Sequence, residues 1–254
     1  MGDLFREARL KIERAKKHIN DLNGILREFL KEDPYVVFVE HDPDGGDDLL
    51  KVQGIQTVSE DFVLVLGDVL HNLRTALDYA MNDIEFATTK ERTKYTKFPV
   101  YNSRDAFEAA LNGGLKKKAP KQVIECIADI VQPYQGGNGH PIWCLHELDI
   151  EDKHRLLIAN TELNFIDGIS IEDDTSTEIH IPTWLVVRDK VAAQPIKGSK
   201  NIKVKNQGRA TYRVIFGAGL SLQGNEIIPA VNRLAVFVEW AINEVEYAFT
   251  LSQI

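Results

Sequence analysis

The chain has 254 residues, of which 44% are hydrophobic and 27% are charged, and it contains only 9 prolines. These values are ordinary for globular proteins and exclude a disordered, collagen-like or low-complexity chain. The formal net charge of −8 argues against extensive wrapping on nucleic acid, because phosphate contacts need a concentrated basic surface. A local contact with nucleic acid is still compatible with this charge.

The N-terminal part of the sequence predicts a long amphipathic helix followed by a β-hairpin. Apolar residues recur at alternating intervals of three and four from Phe5 to Phe29, which is the pattern of one buried helix face. The helix should end before Asp33-Pro34. Residues 35–55 contain two β-rich runs separated by a turn rich in Asp and Gly, and this arrangement predicts the hairpin.

Two further long helices follow from the same periodicity, one with a stripe from Phe62 to Ile84 and one with a stripe from Val231 to Phe249. Shorter helices are predicted near 104–111, at about 120–131 and after Pro141. Between about Leu163 and Phe216 the pattern changes to short β-like runs, which we expect to pair as an antiparallel sheet. The last long helix should then dock against the first two.

These elements predict an α+β fold, in which a helical bundle of three long helices and several shorter ones carries an N-terminal β-hairpin and an antiparallel β lobe before the last helix. We expect a single domain over 1–254. Within it, 1–158 should be mainly helical with the hairpin at 35–55, 159–224 should form the β lobe, and 225–254 should be the helix that returns to the bundle.

The cysteines and the N-terminus predict a cytoplasmic protein. Cys126 and Cys144 each lie in an apolar helical stretch and are not paired by spacing with other metal ligands, which is typical of a reducing compartment. The first residues lead directly into charged positions without an apolar signal region. No stretch approaches the roughly 18 apolar residues of a membrane span, so we expect no membrane association.

The densest polar motif, Gly67-Asp-Val-Leu-His-Asn-Leu-Arg-Thr-Ala-Leu-Asp78, lies on the second long helix. At about 100° per residue, Arg74 lies about 60° from His71 and Asp78 about 20° from it, so the three share one stripe. Such a row can bind an anion or supply an acid and a base. The apolar stripe lies nearly opposite, which favours a solvated stripe with an ordinary i,i+4 ion pair. Leu64 and Leu70 flank the polar stripe, which leaves open a helix that is covered on more than one side.

A second polar cluster extends from Leu145 to Arg155 and contains His146, Asp149, Asp152, Lys153, His154 and Arg155. Histidines and carboxylates at this density are typical of metal ligands. The spacing is not that of a His-Glu-x-x-His zinc site, because position 150 is Ile. A helix end that carries charges, with basic residues near its C-terminus, gives the same composition. We therefore predict no metal site, and the sequence implies no particular cofactor.

The chain resembles a family of uncharacterised bacterial proteins at Gly67–Asp78, at Phe98-Pro99, at Gln132-Pro-Tyr134 and at Asp152-Lys-His-Arg155. That family has a Gly-Asp-x-x-His-Asn-Leu-Arg-x-Ala-Leu-Asp helix and a later Asp-Lys-His-Arg motif. The resemblance covers roughly residues 67 to 155. It implies kinship and brings no established activity with it.

The chain is also loosely similar to the HEPN helical bundles. Many of these are ribonucleases that use an Arg and a His with four to six residues between them. Here Arg14 precedes His18 with only three residues between them, and no Arg has the required spacing. This resemblance therefore rests on the helical character and the polar helix motif rather than on the ribonuclease pair.

Two functions are compatible with these residues. In the first, the two polar motifs meet across the bundle and form a pocket for an anionic ligand, a nucleotide or an RNA phosphate. Its catalytic candidates are His71, Arg74, Asp78, Asp152 and His154, and its ligand-binding candidates are Arg74, His146, Lys153 and Arg155. In the second, the same residues form a buried polar network that fixes helix register, and the protein acts through a partner or as a homo-oligomer. The sequence does not decide whether the protein is an enzyme.

Overall fold

The computed structural model describes residues 4–31, 35–41, 47–53, 57–91, 93, 95–185, 193–197 and 201–254. The chain forms two compact units. The first comprises Met1–Gly24, Glu60–Ile158 and Phe216–Ile254, and the second comprises Ile25–Ser59 and Ala159–Ile215.

The elements confirm the predicted α+β class. The α-helices are α1 (Arg6–Lys31), α2 (Glu60–Thr89), α3 (Arg104–Asn112), α4 (Lys121–Glu125), α5 (His140–His154) and α6 (Ile227–Leu251). The strands are β1 (Val36–Glu40), β2 (Asp48–Gln53), β3 (Ala159–Glu172), β4 (Glu178–Leu185), β5 (Ala193–Ile196), β6 (Lys203–Asn206) and β7 (Arg209–Phe216). None of the described helices combines the length and the apolar character that crossing a membrane requires.

In the first unit, α2 and α6 bury the stripes that the sequence predicts, and α1 buries its stripe from Phe5 to Leu22. The stripe of α2 is buried along its whole length, from Phe62 at 0% to Ile84 at 1% exposure. Helix α6 packs against α2. Helix α1 runs antiparallel to α6, because Arg9 contacts Glu246 while Lys16, two turns later, contacts Glu239. The docking of the last helix against the first two is therefore confirmed.

Helix α5 packs along a second side of α2. Leu70, which the helical repeat places beside the polar stripe of α2, is consequently 0% exposed, whereas Leu64 is 55% exposed. The apolar residues of α5 are not gathered on one face, so the sequence pattern of this helix does not indicate which side is covered.

The helix predicted at about 120–131 is α-helical only over its first part. Helix α4 continues into a π-helix, Cys126–Val131, which ends when the amide of Gln132 donates to the carbonyl of Ile127 five residues earlier. Gln132 itself has a left-handed backbone, with φ of 49°. Both helical segments pack against α6.

In the second unit, β1 and β2 form the predicted antiparallel hairpin, whose turn at 42–46 lies outside the described residues. Strand β5 adds to the free edge of β2, an arrangement that the sequence pattern did not predict. Pro195 is compatible with β5 because this strand lies at the edge of its sheet, where a missing donor is tolerated.

A second sheet of the same unit has β3 at its centre, with β4 and β6 antiparallel to it and β7 also paired to it. Side chains from both sheets form one apolar core that includes Tyr35, Leu50, Ile169 and Trp184. Trp184 is 6% exposed.

Candidate functional site

The interface between α2 and α5 brings the two polar motifs together. His71 contacts Asp149, Arg74 contacts His146, and Gly67 lies against Asp152. Residue numbers rise along α2 as they fall along α5, so the two helices are antiparallel. We call this row of contacts the polar seam. Its inner part comprises Arg74, Asp78 and His146, and its outer part comprises Gly67, His71, Asp149, Asp152 and Lys153.

Arg74 is the centre of the inner part and is only 5% exposed. Each nitrogen of its guanidinium donates a hydrogen bond. Nε donates to Nδ1 of His146 at 3.2 Å, Nη1 donates to Oδ1 of Asp78 at 2.5 Å, and Nη2 donates to the carbonyl of Phe98 at 3.1 Å. Oδ1 of Asp78 also accepts from the amide of Phe98 at 2.8 Å. The inner part therefore ties α2 to α5 and to the segment around Phe98.

The interpretation of Arg74 and Asp78 as a solvated surface pair is wrong. It assumed that only the apolar stripe of α2 is covered, whereas α5 covers the polar stripe as well. The Arg74 side chain is 6% exposed and that of Asp78 is 27% exposed. A buried guanidinium with a partner at every nitrogen is costly to disturb, because removing one partner leaves a buried N–H donor without a hydrogen bond.

His146 is held as a neutral ring in this environment. Burial, and then the neighbouring Arg74 guanidinium, lower the pKa of His146 to about 4. Nδ1 accepts the hydrogen bond from Arg74, so the ring proton of the neutral form is on Nε2. His146 is therefore an acceptor for Arg74 at neutral pH and not a second cation in the seam.

The outer part contains a histidine oriented by a buried carboxylate. Asp149 is 2% exposed, and its Oδ1 lies 3.1 Å from Nδ1 of His71. Nζ of Lys153 donates to its other oxygen at 2.5 Å. Because an ionised carboxylate only accepts hydrogen bonds, we assign a proton to Nδ1 of His71. The imidazole side chain is 54% exposed, and its Nε2 lies 3.4 Å from the hydroxyl of Thr75.

Asp152 packs its carboxylate directly on the backbone of α2. A Cβ atom at position 67 would lie 2.5 Å from Oδ2 of Asp152, so any larger residue there requires the Asp152 carboxylate to move. Burial, and then the charges of Asp149 and Asp68, raise the pKa of Asp152. A carboxyl group perturbed in this way beside an oriented histidine is typical of functional sites.

Two of the predicted site residues do not join the seam. His154 and Arg155 are exposed. Arg155 follows α5 with an extended backbone and pairs with Glu151. His154 makes no side-chain hydrogen bond or ion pair with another described residue, and the helical repeat places it about 80° from His146 around α5.

Sequence reasoning also missed a partner of Cys144. The sulfur atom of Cys144 lies 3.5 Å from Nε2 of His140, one turn earlier on α5. Cys144 is 1% exposed, and burial raises its pKa, so it is a protonated core thiol. Among the described residues, no three His, Cys, Asp or Glu side chains are grouped so that they could hold a metal ion.

No family model, curated protein or solved structure matches the chain. The resemblances to the bacterial family and to the HEPN bundles therefore stay predictions. Function has to be inferred from the geometry of the polar seam itself.

Proposed function

We propose that the protein binds a phosphate-containing ligand, a nucleotide or a short RNA segment, at the outer part of the polar seam, with His71 as the principal contact. The observation that carries this proposal is the pairing of an exposed imidazole with a buried carboxylate, His71 with Asp149. A buried acid that fixes the tautomer of a histidine presents the second ring nitrogen in a defined direction, which is the arrangement used in general acid–base catalysis.

The chemistry of the outer part favours a ligand with both a hydroxyl group and a phosphate group. In the Nδ1–H tautomer, Nε2 of His71 accepts a hydrogen bond, and the Thr75 hydroxyl already lies close to it. Lys153 contacts the other oxygen of Asp149 and is 51% exposed, so its ammonium group lies beside the imidazole. A ribose hydroxyl at His71 and a phosphate at Lys153 use both groups.

Nearby carboxylates limit the charge of that ligand. Asp152 belongs to the outer part, and Asp68 lies close enough to contribute to the raised pKa of Asp152. A triphosphate or a long RNA would bring several negative charges towards them. The proposal is therefore for a ligand that presents one phosphate. It includes a cytoplasmic location, which the two unpaired buried cysteines support.

The test is a calorimetric titration with adenosine monophosphate, adenosine triphosphate and a short oligoribonucleotide, with the same-sequence DNA as comparison. His71→Gln should weaken monophosphate and RNA binding about tenfold, the equivalent of one lost hydrogen bond of about 1.4 kcal/mol. The melting temperature should stay unchanged because His71 is exposed. His154→Gln is the matched control, since it removes an exposed histidine of α5 outside the seam.

The DNA oligonucleotide should bind more weakly than RNA, because it lacks the 2′-hydroxyl that His71 is proposed to contact. Incubation of the RNA with the protein, followed by gel analysis, establishes whether binding leads to cleavage. If the ligands do not bind, or if His71→Gln binds them as well as the unmodified protein, the proposal is wrong.

A second candidate function is a non-catalytic interaction protein in which the whole seam is a structural polar network. The complete engagement of the Arg74 guanidinium favours it for the inner part. Under this alternative, His71→Gln lowers the melting temperature and affects no ligand. The two candidates therefore make opposite predictions for the same variant.

A further inference from the structure

An open apolar groove lies on the first unit, and none of its lining residues belongs to the polar seam. It is formed by the α4 and π-helix segment on one side and by the end of α6 on the other. The cavity has a volume of about 250 Å³. Its lining residues are Gln122, Glu125, Cys126, Asp129, Ile130, Glu244, Tyr247, Ala248 and Leu251. We call it the α4/α6 groove.

Several exposed apolar side chains lie together in the groove. Tyr247 is 65% exposed, Leu251 is 45% exposed and Ile130 is 44% exposed. Cys126 is 5% exposed, and burial raises its pKa to about 11, so it contributes an uncharged thiol. Contiguous exposed apolar groups rimmed by polar ones are characteristic of interaction surfaces.

The rim of the groove is acidic. Glu125, Asp129 and Glu244 line it, and no Lys or Arg is among the lining residues. Glu125 pairs with Lys121 outside the groove at 3.2 Å. Asp129 and Glu244 form no ion pair with a cationic side chain in the part of the chain that the structure describes. Two carboxylates are thus available to a partner.

The backbone of this wall is unusual. The π-helix, Cys126–Val131, supplies three of the lining residues, and it ends at the left-handed Gln132. A π-helix is wider than an α-helix and occurs mostly as short segments that are often functional. Here it places Asp129 and Ile130 side by side on the groove, one acidic and one apolar.

We propose that the α4/α6 groove binds a cationic amphipathic helical segment of another protein. The apolar floor fits residues spaced by three and four along such a helix, and the acidic rim fits flanking Lys or Arg side chains. A second copy of this chain is disfavoured, because a twofold contact would place the same acidic rims against each other. RNA and anionic lipid are excluded by the same charge. This inference does not rest on the proposed function of the seam.

The test uses a displayed library of helical peptides selected on the intact protein, after which the enriched peptide is synthesised and measured by fluorescence anisotropy. The enriched sequences should be net positive, with apolar residues at helical spacing. Binding should weaken about tenfold or more in Tyr247→Ala and in Glu244→Lys, as expected for a central aromatic and a complementary charge. It should also weaken with added salt.

The matched control is Val236→Ala, because Val236 is also on α6 and is also 65% exposed but lies outside the groove. This variant should bind as the unmodified protein does. Leu251→Ser is a second groove variant if Tyr247→Ala lowers the melting temperature. Failure to enrich any peptide, enrichment of neutral or acidic peptides, or binding that is insensitive to both groove variants overturns the proposal. So does a protein dimer in light scattering that Tyr247→Ala abolishes.

Discussion

The inner and outer parts of the polar seam are built from the same two helices but differ in what their charged groups contact. In the inner part, a 5%-exposed guanidinium has a protein partner at each nitrogen. In the outer part, the buried carboxylate of Asp149 holds an imidazole that is 54% exposed. One polar motif thus combines a half in which a buried guanidinium is fully hydrogen-bonded with a half in which the imidazole is exposed to solvent. The first step in testing function is therefore to separate them.

The largest effect is expected from Arg74→Ala. It leaves the Phe98 carbonyl without this donor and the Asp78 carboxylate with only the Phe98 amide, and breaking a buried ion pair in this way typically costs about 3–5 kcal/mol. Urea denaturation measures the loss. Arg104→Ala removes an arginine from an exposed i,i+4 pair with Glu108 and should leave the transition unchanged. Equal stability of the two variants would show that the inner part is not structural.

A pH-dependent effect is expected from His146. Its pKa is about 4 in the folded protein against 6.5 ordinarily, so between these values the unfolded chain binds the proton and the folded chain does not. The free energy of unfolding should therefore fall as the pH is lowered from about 6.5 to about 4, by up to roughly 3 kcal/mol from this residue. His146→Gln keeps an acceptor for Arg74 and should flatten the curve. His154→Gln should not.

A smaller change in stability is expected from Gly67→Ala, and its sign should depend on whether Asp152 is present. In the unmodified protein, Gly67→Ala forces the Asp152 carboxylate to move and should destabilise the fold. In an Asp152→Ala background the obstacle is absent, and the same substitution should stabilise the helix by about 0.5–1 kcal/mol through helix propensity. A double-mutant cycle of Gly67→Ala and Asp152→Ala should give a coupling free energy of about 1–2 kcal/mol. Additive effects would contradict the close approach of Asp152 to Gly67.

The smallest effect is expected from Asp152→Asn. Because the pKa of Asp152 is raised in the fold, the folded state favours its protonated form, and stability is lost as the pH rises through that pKa. The neutral amide should therefore stabilise the protein at pH 7 by less than about 1 kcal/mol. The gain should shrink as the pH is lowered towards 4. A destabilised variant at neutral pH would show that the charged carboxylate makes a contact that its surroundings do not reveal.

Much of the fold could be predicted because the apolar stripes of α1, α2 and α6 are long and regular. Periodicity of this kind reports a buried face directly, and the predicted stripe of α2 is buried from Phe62 to Ile84. The addition of β5 to the hairpin sheet could not be predicted in the same way. Four residues that include Pro195 carry too little pattern to identify a partner strand.

The candidate site was only partly predictable for a different reason. The sequence placed His71, Arg74 and Asp78 on one stripe, but the burial of that stripe depends on α5, whose apolar residues do not point to one side. The role of Phe98 in binding Arg74 and Asp78 uses backbone groups, which leave no signal in side-chain type. Gly67 was visible in the motif, yet its close contact with Asp152 required the register of two helices.

The hydrogen bonds of Arg74 and Asp78 to the Phe98 backbone affect the expected order of folding. The hydrogen bonds of Arg74 and Asp78 to Phe98 close loops of 24 and 20 residues, whereas the bond from Arg74 to His146 closes one of 72. Loop-closure entropy makes the longer connection less favourable by about 1 kcal/mol. We therefore expect α2 and the Phe98 segment to associate before α5 docks. Mutations at Asp78 should slow refolding, while mutations at His146 should mainly accelerate unfolding. The contacts between α2 and α5 would then form after Arg74 and Asp78 have bound the Phe98 backbone.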